Sequence, residues 1–88
     1  MSQFEKKLAE MGVTLPEAPA PAANYVPYVQ AGDMLFVSGQ IAKEGDTLLT
    51  GKLGDDLDVA DGAKAARACA IALLAQVKAA CGGDLDRL

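Results

Sequence analysis

The sequence predicts an open α+β unit, a β-β-β-α half of a two-layer sandwich, on the strength of three observations. Residues 24–50 fall into short Tyr-, Val- and Leu-bearing runs separated by Ala31-Gly32-Asp33 and Glu44-Gly45-Asp46, which is turn chemistry between strands. Residues 58–80 contain ten alanines and no proline, the pattern of one long helix. A single helix cannot cover a sheet that lacks its remaining strands, so the unit is expected to be truncated, with one side open.

Each element follows from local chemistry. Ser2-Gln3-Phe4-Glu5 has the spacing of a capping box, Phe4, Leu8 and Met11 form a narrow apolar stripe, and Gly12 offers a left-handed stop. So short a helix should dock on something. Residues 16–23, with Pro16, Pro19 and Pro21, are expected to run extended. Residues 1–23 therefore read as an N-terminal helix and Pro/Ala-rich spacer, and residues 24–88 as the domain portion. Residues 24–30 form a strand that Pro27 confines to an edge or a bulge. Met34-Leu35-Phe36-Val37 is a continuous apolar run, as expected of a strand covered on both faces, and it ends at Ser38-Gly39-Gln40. Residues 47–50 are a third strand candidate and 51–56 a loop. The long helix has Asp58 as N-cap and Gly82-Gly83 as its stop. Its apolar stripe is read as Ala66, Cys69, Ala70, Leu73, Val77, Ala80 and Cys81, small enough for close approach to a sheet. Residues 84–88 begin a further element.

Composition narrows the function classes. Eighty-eight residues form one domain, and a chain of this size buries only about 60–65% of its unfolded surface, so oligomerisation is expected to complete its core. Cys69 and Cys81 lie on one helix roughly 18 Å apart, beyond disulfide reach, and suit a reducing cytoplasm as small buried residues. Twelve acidic against eight basic residues, with no basic run, give a net charge of −4 and no electrostatic footprint for nucleic acid. The longest apolar stretch is far too short to span a bilayer, so no membrane partner is expected.

Little in the sequence carries chemistry. Ser2 and Ser38 are the only serines, and without histidine neither has a conventional base. Asp55, Asp56, Asp58 and Asp61 cluster at a helix start, where interaction with the helix dipole accounts for them; they lack the pattern of a calcium loop. No metal site and no catalytic residue is assigned. Ser38-Gly39-Gln40 at a strand end remains as the one candidate ligand-facing step.

That step sits in a longer pattern. Asn24-Tyr25-Val26-Pro27-Tyr28-Val29-Gln30-Ala31-Gly32-Asp33-Met34-Leu35-Phe36-Val37-Ser38-Gly39-Gln40-Ile41 resembles the opening hairpin of the YjgF/RidA (Rid, reactive intermediate deaminase; "endoribonuclease L-PSP") family. The Ala-rich helix ending in Ala80-Cys81-Gly82-Gly83-Asp84-Leu85-Asp86 resembles the family's first helix and its exit into the next strand. The resemblance implies a chorismate-mutase-like α+β sandwich, a homotrimer with ligand clefts between subunits, and no cofactor. It also implies hydrolysis of reactive imines and enamines such as 2-aminoacrylate to 2-keto acid and ammonia, with a small 2-imino, enamino or keto acid as ligand. Ser38 and Gly39 match the strand-end pair of the family. A gapless register places the family tyrosine at Tyr25, and a shortened hairpin would choose Tyr28; the gapless register is preferred. The family's arginine and water-activating glutamate come from segments beyond Leu88, and neither Arg67 nor Arg87 matches. The chain is accordingly expected to be part of a longer enzyme, or else a degenerate relative that binds or assembles without the reaction. A ribonuclease or translation inhibitor, a label some family members carry, fits poorly with the acidic balance.

Overall fold

The computed structural model describes residues 3–20 and 24–88. Within them lie α1 (Gln3–Glu10), β1 (Tyr28–Ala31), β2 (Met34–Val37), β3 (Lys43–Glu44), β4 (Thr47–Leu48), α2 (Val59–Ala80) and a 3₁₀ turn, Leu85–Arg87. The expected capping box begins at Ser2, outside the described residues, as do residues 21–23 of the Pro/Ala-rich segment.

Strands β1 and β2 form an antiparallel hairpin in which Tyr28 faces Val37 and Val29 faces Phe36. The strand expected over residues 24–30 begins only at Tyr28. Pro27 has no N–H to give to a ladder, but its carbonyl accepts the Ser38 N–H at 3.0 Å and extends the pairing by one step. β2 has the expected bounds but not the expected burial. Leu35 and Val37 are half-buried on the side where α2 packs, whereas Met34 and Phe36 are more than half exposed, so one face of the run is covered and the other open. The third strand candidate resolves into a second hairpin, β3–β4, closed by Gly45-Asp46.

α2 matches its expected limits because both ends are fixed by side-chain and backbone partners. Asp58 accepts the Asp61 N–H at 2.9 Å, and Asp61 accepts the Asp58 N–H at 3.1 Å, a reciprocal box with aspartate in the third helical position. At the other end, Gly83 N–H reaches the Lys78 carbonyl (2.8 Å) and Gly82 N–H the Ala79 carbonyl (3.2 Å), with Gly82 at φ +70°. This paired closure needs a left-handed residue at Gly82, which glycine adopts without a Cβ clash.

The covered face of α2 meets the expected stripe in part, with Cys69, Val77, Ala80 and Cys81 half-buried, and departs from it elsewhere. Ala66, Ala70 and Leu73 are exposed, while Ala65, Ala68, Cys69 and Ala72 are half-buried and Ala75 and Gln76 are buried. With alanine on nearly every side, the helix has no strongly preferred direction of its own, and its packing partners choose the face. Both cysteines are free and half-buried.

α1 docks on the 3₁₀ turn. The Asp86 carboxylate accepts the Gln3 and Phe4 N–H groups at 2.8 and 3.3 Å, capping α1 from the far end of the chain. Glu5 returns the contact by accepting the Leu85 N–H at 3.3 Å, and it lies 3.7 Å from Lys78 Nζ. Residues 84–88, expected to open a strand, instead make this turn because the Asp84 carboxylate accepts the Asp86 N–H at 3.0 Å and curls the backbone. Among the described residues, no helix is long and apolar enough to cross a membrane.

Candidate functional site

A cleft of about 650 Å³ lies between α2, residues 14–20 and the segment from Gln40 to Gly45, within the range of small-molecule sites. Ala68, Ile71 and Ala72 give it an apolar floor, and Tyr25 and Gln40 supply polar groups at its wall. Lys64 at its edge pairs with Glu44 at 3.1 Å, which neutralises both. Arg67 and Lys43 also line it, and their side chains make no hydrogen bond or ion pair among the described residues. Among the described residues the cleft therefore holds two cations without a side-chain partner against one further carboxylate, Glu17.

The three residues singled out from sequence are placed differently. Tyr25 is 40% exposed and lines the cleft; Tyr28 is half-buried and does not line it. Ser38 is half-buried with its Oγ donating to the Pro27 carbonyl at 3.1 Å, the same oxygen that receives its N–H. Gly39 is exposed, and a Cβ there would meet nothing within 4 Å. Ser38 and Gly39 are not among the lining residues, although the adjoining Gln40 is.

Two glutamines tie the site together. Gln76 is only 1% exposed and donates from Nε2 to the Pro19 carbonyl at 2.8 Å and to Gln40 Oε1 at 3.4 Å. Gln40 in turn donates to the Ser38 carbonyl at 3.2 Å, and the Cys69 thiol lies 3.5 Å from the Gln40 carbonyl. A buried amide left unpaired costs about 1–3 kcal/mol, so this chain of bonds fixes its members in place. The sequence signal for Gln76 was a single polar residue inside the apolar run Ile71 to Val77; for Arg67, nothing distinguished it from the other helix cations.

Residues 5–88 match the family described as "YjgF/chorismate_mutase-like, putative endoribonuclease". The chain belongs to this YjgF/chorismate-mutase-like family. The matched range takes in most of α1 as well as the strands and α2. A curated relative, Protein TCP17 of Trypanosoma cruzi, is 50% identical over 82 residues, which are 92% of this chain and 51% of the relative. The crystal structure of Atu1372, a protein of unknown function from Agrobacterium tumefaciens, superposes with a TM-score of 0.77 at 46% identity, over 93% of this chain and 48% of the other. That of a putative endoribonuclease from Shewanella oneidensis MR-1 gives 0.82 at 40% identity, over 89% and 52%. The chain thus spans about half the length of these YjgF-like relatives, and within that half it has their α+β fold.

Proposed function

We propose that this chain forms one wall of a site that hydrolyses reactive 2-imino and enamino acids of the 2-aminoacrylate type to the 2-keto acid and ammonia. The observation that supports this reading is the cleft at Tyr25, where a phenol, an amide and two cations without a side-chain partner among the described residues border an apolar floor. Such a lining suits a small carboxylate with an apolar tail: guanidinium and ammonium groups attract the carboxylate, and the tail lies on alanine and isoleucine. The chemistry asks for little more than placement. An enamine that gains a proton at its β carbon and gives one up from nitrogen becomes an imine, and water adds to the imine carbon, its oxygen forming the new C–O bond while a proton passes to nitrogen. The resulting carbinolamine passes its hydroxyl proton to nitrogen and expels ammonia as the C–N bond breaks and the C=O bond forms. No electron is transferred, so the reaction consumes no redox partner. Positioning of water and substrate supplies much of the acceleration. Neither Arg67 nor Arg87 stands at the place of the family's catalytic arginine, so on this reading the segment supplies binding surface and the second half of the domain supplies the catalytic groups.

One observation favours a second reading, a non-catalytic ligand-binding or assembly module of the same fold. Val29, Ala31, Met34 and Phe36 share the sheet face turned away from α2, and all four are exposed, a surface suited to a subunit contact in a cytoplasmic homotrimer. Ribonuclease action finds less support, because a net charge of −4 opposes phosphate binding.

The test generates an imino acid from an amino acid with an amino-acid oxidase and traps it with semicarbazide. On this reading, the whole domain, this segment together with a second half of the kind its relatives carry, lowers the semicarbazone yield in proportion to protein added. An unchanged yield together with measurable pyruvate binding would favour the module, and cleavage of labelled RNA would favour the ribonuclease.

A further inference from the structure

The N-terminal segment has an unexpected relation to the cleft. Residues 13–20 contain no helix or strand, yet they do not trail away from the domain. One end is held by α1, which Asp86, Leu85 and Lys78 fasten to the C-terminal turn and α2. The other end is held at Pro19, whose carbonyl accepts from the buried Gln76 amide at 2.8 Å. Between these anchors, Thr14, Pro16, Glu17 and Pro19 line the same cleft as Arg67. A segment held at both ends and stiffened by prolines has few conformations left to lose, so it costs little to keep as a wall.

We propose that residues 14–20 are a pinned strap that walls the cleft and limits the size of what enters, with Gln76 as the positioning residue that holds it. Gln76 also donates to Gln40, which holds the Ser38 carbonyl, so one amide sets the distance between the strap and the end of β2. Replacing it frees the strap from the helix without touching any cleft-lining cation. The size limit rests on the small-acid reading above; the strap does not.

The test times cleavage after Glu17 by a Glu-specific endoproteinase in the wild-type chain and in Gln76→Leu, Gln76→Glu and Gln40→Leu, with cut sites assigned by mass spectrometry. Both Gln76 variants lose the donor to Pro19 and should be cut about ten-fold faster, since cleavage follows the population of the open segment. Gln40→Leu keeps the bond to Pro19 but removes the second acceptor of the Gln76 amide, so it should be cut faster than wild type and more slowly than either Gln76 variant. Two Gln76 variants are used so that a folding failure in one, seen as lost helical circular dichroism, leaves the other to decide. In parallel, NMR titrations compare pyruvate with phenylpyruvate. Wild type should prefer pyruvate by at least about ten-fold, and Gln76→Leu should lose most of that preference. Equal cleavage rates in all four proteins would overturn the strap, and equal wild-type affinity for the two acids would overturn the size limit. If neither acid binds any of the proteins, the small-acid reading and its size limit fall together, and the cleavage rates alone decide the strap.

Discussion

At Gly51 an added methyl group would lie 2.6 Å from Leu57 Cγ, on a backbone with φ +148°. Both terms oppose any side chain, so Gly51→Ala should destabilise the fold by about 1–3 kcal/mol, read as a lower melting temperature by circular dichroism. Gly62 looks similar by distance and differs in kind. Its added methyl would meet Leu53 Cδ2 at 2.7 Å, but Leu53 is an exposed, flexible side chain that can turn aside. Helix propensity then dominates, and Gly62→Ala should be neutral or stabilising by up to about 1 kcal/mol in the same measurement. Gly39, with open space around it, separates ligand from fold: Gly39→Ala should shift stability by less than about 0.5 kcal/mol. A loss of pyruvate binding in that variant would place Gly39 at the ligand, and unchanged binding would remove it from the site. At this scale the sequence was legible where a residue type answers a backbone need, as at Gly82. It was not legible at Gln76, whose importance comes from Pro19 and Gln40, partners 57 and 36 residues away.

Elements with both ends specified locally were the most predictable. The limits of α2 follow from Asp58 and Gly82-Gly83, and those of β2 from the turn before it and Ser38 after it. The inward face of α2 was readable only in part, because ten alanines leave the choice of face to tertiary packing. The cap also makes the helix pH-sensitive. The Asp61 N–H, then the Asp61 side chain, hold the Asp58 carboxyl below its ordinary value of 3.8. A carboxylate depressed in the folded state contributes stability that is fully present above the unfolded value and is lost as the pH falls through the folded value. The helical signal should therefore weaken below about pH 3.8, at the start of α2 first. Asp58→Asn keeps a good cap without the charge, so acid titration followed by circular dichroism should show a smaller change in that variant. The N-terminal helix depends on the opposite end of the chain. Asp86→Ala removes both distant acceptors for its first N–H groups and should cost about 0.5–2 kcal/mol, visible as faster hydrogen exchange at Gln3 and Phe4 while α2 is unaffected.

At the scale of the whole molecule, the described residues bury very little. Among the described residues the fully buried apolar side chains are Ala75 and Leu85, and the buried polar one is Gln76. Meanwhile Met34 and Phe36 are 60% and 54% exposed beside Val29 at 50%, on a sheet face that no element of the described chain covers. Covering a large apolar side chain contributes about 1.5–3 kcal/mol, so several half-covered ones on one flat face form a strong drive to associate. Three copies that each lay one part of this face against a different part of the next copy, around a three-fold axis, would bury it in a closed ring and leave no further face to grow a filament. Light scattering on a sizing column should then give about 27 kDa, three times the 9.0 kDa chain, in a concentration-dependent equilibrium. Phe36→Glu places a charge at the middle of that face, where burial is prohibitive without a partner, and should return the mass to 9.0 kDa with the helical signal retained. The cleft lies on the other side, among α2, the strap and the segment after β2, so the same variant should still bind pyruvate if the cleft serves a single chain. Loss of both trimer and binding would instead mean that a neighbouring copy completes the site, and that assembly and ligand recognition are one event.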